Sequence, residues 1–382
     1  MNNRLFYLIF MLFISMNSGI SVSAQEVQEV DFCAPVTSNA FASPNPWVDG
    51  QIAIQFFSPN NGTSLALWQD GESPRLIYSP NQLTRMEDGG QFDGIYQDGF
   101  FTVGPELEWL SPTNILTVID VNRQVALHPH QYNYWSQGSQ TLGHYYEWQN
   151  YQREQWLVDI NIETGEFVLV TQGRDPAFNK TNILAFSRPS ASELYGFDIW
   201  YRNLDTGVED LLSNNSDFPT AIKWGDAEIN PSSIGLFDLE FRSPEMLTGT
   251  LNFGGSVNNA TIIEIGHHEL IELVPMEENT DAHGYTVSIG SIGAWVGNHA
   301  FAPNGGDFVY FRQEVGSETA QIWVNISGES MLLVDGNVRG KPSFIDEKTV
   351  LYTQLIEGGE SPQYQIFDID IDSLVVDQVT CN

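Results

Sequence analysis

The chain has 382 residues, with 15 Lys and Arg against 49 Asp and Glu and a formal net charge of -34. A surface so acidic repels nucleic acid and anionic membranes and favours cations or basic partners. Charged residues make up only 17% of the chain, against roughly a quarter in average proteins, so the imbalance comes from scarce Lys and Arg more than from abundant carboxylates.

The chain opens with one charge, Arg4, and an apolar stretch from Leu5 to about Ile20. Val22-Ser23-Ala24 then supplies small residues at cleavage positions. This is the form of a secretory signal peptide, so residues 1–24 are expected to be removed and the protein to be secreted or periplasmic. The stretch is short and broken by Ser15, Asn17 and Ser18, which argues against a retained anchor. No later segment is long and apolar enough to span a bilayer, so no integral membrane association is expected. Residues 25–46, with Pro35, Pro44 and Pro46, read as a leader, and 47–382 read as one domain.

Within that domain, short β-branched and aromatic runs alternate with turn residues. The first unit has Ile52–Phe57, Ser64–Gln69 and Arg75–Tyr78. The second begins at Glu108-Trp109-Leu110 and Ile115–Asp120 and finishes at Gln155–Asn161 and Glu166–Thr171, around a long insertion at about Gln124–Tyr151. The third spans Asp175–Leu212, and the fourth is Leu247–Phe253, Ala260–Ile265 and Glu269–Val274. The fifth and sixth start at Phe308 and Val350. One such unit cannot bury both faces of its small sheet, so units must stack. Four-stranded units repeated around an axis make a β-propeller. The spacing predicts six blades, or seven if the insertion hides another, with the leader joining the closing blade.

The repeat resembles that of the TolB-like β-propellers. The closest match has lead-in residues Asp175, Pro176 and Phe178, strands Leu184–Phe186 and Ile199–Tyr201, and the turn Asp205-Thr206-Gly207. Pro303–Val334 and Pro342–Val379 match less closely, and their turns depart from the pattern (Ile326–Gly328 and Asp370–Ser373). The resemblance covers about two thirds of the expected mature chain. It implies the fold and leaves the role open, because propellers of this kind serve many functions. The separate α/β domain that precedes the propeller in TolB has no counterpart in this sequence, so the pattern reads as an isolated propeller.

The two cysteines, Cys33 and Cys381, lie near opposite ends of the chain. An even count in an exported protein suggests a disulfide, and a propeller brings its ends together. The insertion holds Trp135, Tyr145, Tyr146 and Trp148, interleaved with His128, His130 and His144. Exposed rings there suit a glycan or peptide ligand, whereas rings facing inward would fill the space between blades. Trp135, Tyr145, Tyr146 and Trp148 are the candidate ligand-binding residues.

His128, His130, His267 and His268 are of metal-ligand type, but surface loop histidines are the default reading and no metal site is assigned. Asp368, Asp370 and Asp372 alternate along a predicted strand and point to calcium only weakly. No Gly-x-Ser-x-Gly elbow, phosphate loop or dinucleotide fingerprint is present. The expected function is a non-enzymatic binding or scaffolding module for a protein or glycan ligand, without a cofactor. The alternative is a carbohydrate-active lyase or hydrolase with its site at the channel mouth. Asn61, Asn179, Asn214, Asn259 and Asn325 begin glycosylation sequons.

Overall fold

The computed structural model describes residues 38–58, 62–70, 72, 74–78, 95–97, 107–124, 151–189, 197–213, 222–224, 227–229, 235–252, 260–265, 270–272, 294–314, 317, 319–356 and 363–379. The first sheet holds β1 to β4 (Ser38–Pro44, Gln51–Ser58, Gly62–Gln69, Arg75–Tyr78). A five-stranded sheet follows, with β5 to β9 (Ile95–Gln97, Leu107–Ser111, Asn114–Gln124, Tyr151–Asn161, Phe167–Gln172). Next come β10 to β13 (Arg174–Phe178, Ile183–Pro189, Phe197–Asn203, Glu209–Ser213) and the ribbon β14–β15 (Ile222–Trp224, Ala227–Ile229). Three further sheets complete the chain. They are β16 to β19 (Gly235–Ser243, Met246–Asn252, Ala260–Ile265, Leu270–Glu272), β20 to β23 (Ala294–Phe301, Phe308–Glu314, Ala320–Ile326, Glu329–Gly336) and β24 to β27 (Val338–Phe344, Thr349–Ile356, Gln363–Asp370, Val376–Gln378).

Five sheets thus have the regular four-stranded antiparallel form, in sequential order. The architecture is an all-β propeller, and the expectation of six blades, or seven, is corrected to five regular ones. The departing sheet has a physical reason. Its central strands β7 and β8 run for 11 residues each, longer than any other strand described. The edge of β7 therefore takes two partners, β6 against Asn114–Thr117 and β5 against Val121–Arg123.

The first strands touch in cyclic order, β1 to β6, β10, β16, β20, β24 and back to β1. They stand innermost, around the axis. Ser38–Pro44, read from sequence as part of the leader, pairs with β2 and packs against β24, β25 and β26 of the last sheet. Its sequence SNAFASP lacks the β-branched residues that mark a strand.

The second strands are sandwiched between neighbouring sheets, so the middle residues of a strand such as β11 or β25 are dry on both faces. Leu184, Ala185 and Phe186 are consecutive and all fully buried. Alternation sorts such runs between two interfaces. Ile115 and Ile119 pack with Leu65 and Leu67 on one side, while Leu116 and Val118 pack with Leu184 and Phe186 on the other. The ring closes on Ala42, Ile52 and Ile54 against Leu351 and Ile366, with Val379 beside them. Burying side chains of this size contributes about 1.5–3 kcal/mol each.

In three blades the third strand ends in an Asn or Asp that organises the next turn. Asn161 Oδ1 accepts the N–H groups of Glu163 and Thr164, and Asn203 Oδ1 those of Asp205 and Thr206. Gly165 and Gly207 then take the left-handed conformation at φ 70°, which glycine adopts without steric cost. In the last blade Asp370 plays the Asn part, accepting from Ser373, but Leu374 holds the left-handed position at φ 58°.

Candidate functional site: the axial hub and its cavity

Each inner strand carries a local irregularity where the chain approaches the axis. One extra residue is inserted opposite β11, β17 and β21 at Arg174–Ala177, Phe237–Glu240 and Gly297–Ala300. β24 shows a wider shift between Arg339 and Ser343. At these bulges Asp175, Asp238, Asn298 and Gly340 take positive φ values of 50°, 53°, 49° and 76°. Asp, Asn and Gly are the residues that tolerate this conformation. Three of them precede a phenylalanine by three positions, at Phe178, Phe241 and Phe301; Gly340 precedes Phe344 by four.

The bulges tie the blades together in series. The Asp175 carboxylate faces the backbone of Asp238, whose N–H favours its charged form against burial. Asp238 Oδ2 in turn accepts the backbone N–H of His299 at 2.9 Å and the Thr250 hydroxyl at 3.2 Å. Asn298 Nδ2 donates to the carbonyl of Gly340 at 3.4 Å. Each link joins one inner strand to the next around the axis. The side chains that satisfy the left-handed positions also pair the blades.

His299 is fully buried on β20. Its Nδ1 lies 3.2 Å from Asp238 Oδ2 and its Nε2 lies 2.7 Å from Thr248 Oγ1. This Asp–His–Thr line has the residue types of a nucleophile relay. However, Thr248 is fully buried and its hydroxyl donates to the Glu240 carbonyl at 2.9 Å. No substrate atom has a path to it, so the line acts as an internal brace.

Lys341, on β24, reaches Glu240 Oε2 on β16 at 2.5 Å and stands 3.6 Å from Asp238 Oδ1. It bridges two strands that are not neighbours in the ring. Burial opposes its charge, but Glu240, Asp238 and Glu108 outweigh burial and hold the ammonium above the ordinary lysine range. Burial likewise opposes the Asp238 carboxylate. Lys341 and the bonds from His299 override that effect and keep Asp238 more acidic than usual. Glu108, on β6, goes the other way. Burial, and then the charge of Glu240, push its pKa to about 8, against the pull of Lys341 and Lys180 and the Phe178 N–H.

Beside this cluster lies a cavity of about 100 Å³. Its wall comes from β1, β6, β16, β20 and β24, with Pro46 and Lys180 added from the turns after β1 and β10. It therefore sits on the axis, towards the rim formed by the first turn of each blade. Lys180, Lys341, Glu108 and Glu240 give it its polarity.

The sequence-predicted candidates lie elsewhere. Trp135, Tyr145, Tyr146 and Trp148, the cysteines Cys33 and Cys381, and His128, His130, His267 and His268 all fall outside the described residues. Their flanks are described. Gln124 pairs with Tyr151 at the end of the β7–β8 hairpin opposite the Pro112-Thr113 turn, so the chain leaves and re-enters at the rim away from the axial cavity. Asp368, Asp370 and Asp372 do not share one strand face. β26 ends at Asp370, and Asp372 sits in the following turn, paired with Lys348. Among the described residues no group of three His, Cys, Asp or Glu side chains is arranged to hold a metal ion. Among them, too, no helix is long and apolar enough to cross a membrane. Asp238, His299 and Lys341 were not singled out from sequence. Their signal was the Asp/Asn-x-x-Phe spacing, visible only once three inner strands are aligned.

Fold and hub together define a β-propeller. No protein-family model matches the chain, and no curated protein matches it. Among solved structures it is similar to TolB from Acinetobacter baumannii, at 14% identity and a TM-score of 0.48, over 88% of this chain and 62% of that one. The chain thus spans less than two thirds of that TolB. It is also similar to an oligogalacturonate lyase in complex with manganese (9% identity, TM-score 0.44, 92% of this chain and 83% of that one). A third is an acylaminoacyl peptidase (12% identity, TM-score 0.45, 91% and 45%). These neighbours differ in function and share the propeller.

Proposed function

We propose that the protein is an exported, non-enzymatic propeller that binds or scaffolds a protein or glycan ligand. The observation that carries this reading is that the titratable groups gathered at the hub are committed to one another. Lys341 is held by Glu240, Asp238 holds His299, and His299 meets Thr248. Paired in this way they hold blades together and leave little chemistry for turnover. A lyase or hydrolase at the channel mouth would need convergent acid and base groups open to substrate, whereas His299 is sealed.

The ligand surface is assigned to Trp135, Tyr145, Tyr146 and Trp148, carried at the end of the longest hairpin. Residues 1–24 act as the signal peptide, and the protein works in the periplasm or outside the cell. A glycan and peptide array on the mature protein, repeated with Trp135→Ala and Trp148→Ala, tests this. Retained melting temperature with lost binding supports the platform. Loss of stability by roughly 3–5 kcal/mol with no change in ligand affinity refutes it. Depolymerisation of an array glycan by the wild-type protein would favour the enzymatic alternative.

A further inference from the structure

The chain has four lysines, and two of them, Lys180 and Lys341, line the one axial cavity described above. In a protein with 49 carboxylates and four lysines this is a local concentration of positive charge. Lys341 comes from β24 and is engaged by Glu240. Lys180 comes from the turn after β10, is solvent-exposed, and is held at φ 61°. That turn is fixed by Asn179, whose Oδ1 accepts the N–H groups of Thr181, Asn182 and Ile183. The lysine is therefore presented by a rigid support.

The other charged groups facing the cavity are Glu240 on β16 and Glu108 on β6. Glu108 keeps its proton up to a pH of about 8. Glu240 and, from behind the wall at 3.6 Å, Asp238 take up the charge of Lys341, while Lys180 stands exposed at the mouth and the protonated Glu108 adds an O–H donor. Ser43 and Ser343 line the wall, and Phe41 and Phe344 give it an apolar side. The volume suits several waters or one small organic molecule.

We propose that this cavity is a binding site for a small carboxylate, seated at the Lys180 and Lys341 ammonium groups with its body against Phe41 and Phe344. A carboxylate there pairs with the exposed Lys180 ammonium and accepts from the remaining Lys341 N–H and from the Ser43 and Ser343 hydroxyls of the wall. The same chemistry is offered by a free short-chain acid and by the C-terminus of a peptide. The site lies at the rim opposite the β7–β8 hairpin end, so it stands or falls independently of the aromatic platform.

The test is a calorimetric titration of the mature protein with acetate, butyrate and acetyl-alanyl-alanine bearing either a free or an amidated C-terminus. Acetamide serves as the neutral control. Lys180→Gln, in an exposed turn, and Ser343→Ala are the variants. The expected result is saturable binding of the carboxylates and none of the amides. Affinity should drop by at least about tenfold in Lys180→Gln, and in the wild type it should weaken as the pH rises through about 8. A free-carboxyl peptide binding more tightly than butyrate assigns the ligand to a chain terminus; the reverse order assigns it to a free acid. Acetamide binding as well as acetate, unchanged affinity in Lys180→Gln, or no saturable binding by any carboxylate would each overturn the proposal.

Discussion

Asp238 on one inner strand and His299 on the next are joined twice through a single oxygen. Asp238 Oδ2 accepts the backbone N–H of His299 at 2.9 Å and lies 3.2 Å from the same residue's Nδ1. The left-handed backbone at Asp238 aims the carboxylate out of its own strand and into the neighbouring blade. Backbone strain and inter-blade attachment are here one feature.

Replacing Asp238 by Ala leaves the His299 N–H and the Thr250 hydroxyl without their acceptor and removes one partner of Lys341. We expect a loss of about 2–4 kcal/mol, read by urea unfolding at neutral pH. Because Asp238 is more acidic folded than unfolded, its contribution is present above an unfolded value of about 3.9. It fades as the pH falls through the lower, folded value. The variant should therefore show a shallower acid limb than the wild type, and parallel limbs would remove Asp238 from the hub's energetics.

Glu108 has the opposite sign. Its folded pKa is raised from 4.5 to about 8, so its contribution is full below 4.5 and is lost as the pH rises to about 8. Glu108→Gln should match the wild type in acid and exceed it in mild alkali by roughly 1–3 kcal/mol. An equal difference at both ends of the pH range would show that the carboxyl's proton is irrelevant to folding.

Leu374 occupies the left-handed turn position that Gly207 fills in the third repeat, and it is 57% exposed. It makes no burial that would offset the strain. Leu374→Gly should stabilise the protein by about 1 kcal/mol, seen as a higher melting temperature, whereas Gly207→Leu should destabilise it by a similar amount. A lower melting temperature for Leu374→Gly would disprove the strain argument.

Two of the five sequons begin at residues the fold has already used. Asn179 is buried, and its Nδ2 donates to the Pro244 carbonyl of the next blade; Asn325 is buried, and its Nδ2 donates to Ser330. Neither amide is available for modification in the folded chain. Secretion from a glycosylating host followed by peptide mass spectrometry should find both sites unmodified, and high occupancy at Asn179 would mean that glycosylation precedes folding there.

A Cys33–Cys381 bridge, expected from the sequence and proposed here, is testable beside the ring closure. Val379 packs in the cluster that holds Ala42 of β1 and Ile52 of β2, so the C-terminal end of the described chain reaches the first blade. Thiol labelling of the unreduced, denatured protein should find no free thiol. Reduction should lower stability by up to about 5 kcal/mol in the chain-entropy model. Two labelled cysteines would exclude the bridge.

The sequence disclosed the second and third strands of every regular blade, because Leu184–Phe186 and Val350–Tyr352 are sandwiched on both faces and read as unbroken apolar runs. It showed the first strands only in fragments, Glu108–Leu110 of β6 and the Asp175, Pro176 and Phe178 lead-in of β10. β1 (SNAFASP), β10 (RDPAF) and β24 (VRGKPSF) carry proline, glycine and charge, because they face an axis and bend at a bulge rather than pack in a dry layer. The hub residues sit on those strands and were concealed with them. The turns were partly legible. Asn203 to Gly207 announced itself by its glycine, while Asp370 to Leu374 did not.

Every four-stranded sheet is assembled from neighbours in sequence, and among the described residues the first and last blades share no strand. The circle is therefore fastened like a clasp rather than woven shut. A chain threaded through a membrane pore from its N-terminus can finish each blade as it emerges, with no early strand left waiting for a late one. The last event is the docking of two finished faces, Ala42 and Ile54 against Leu351 and Ile366. Reopening that joint demands parting side chains but no ladder hydrogen bonds, which makes it the natural point of entry for anything too large to pass along the axis.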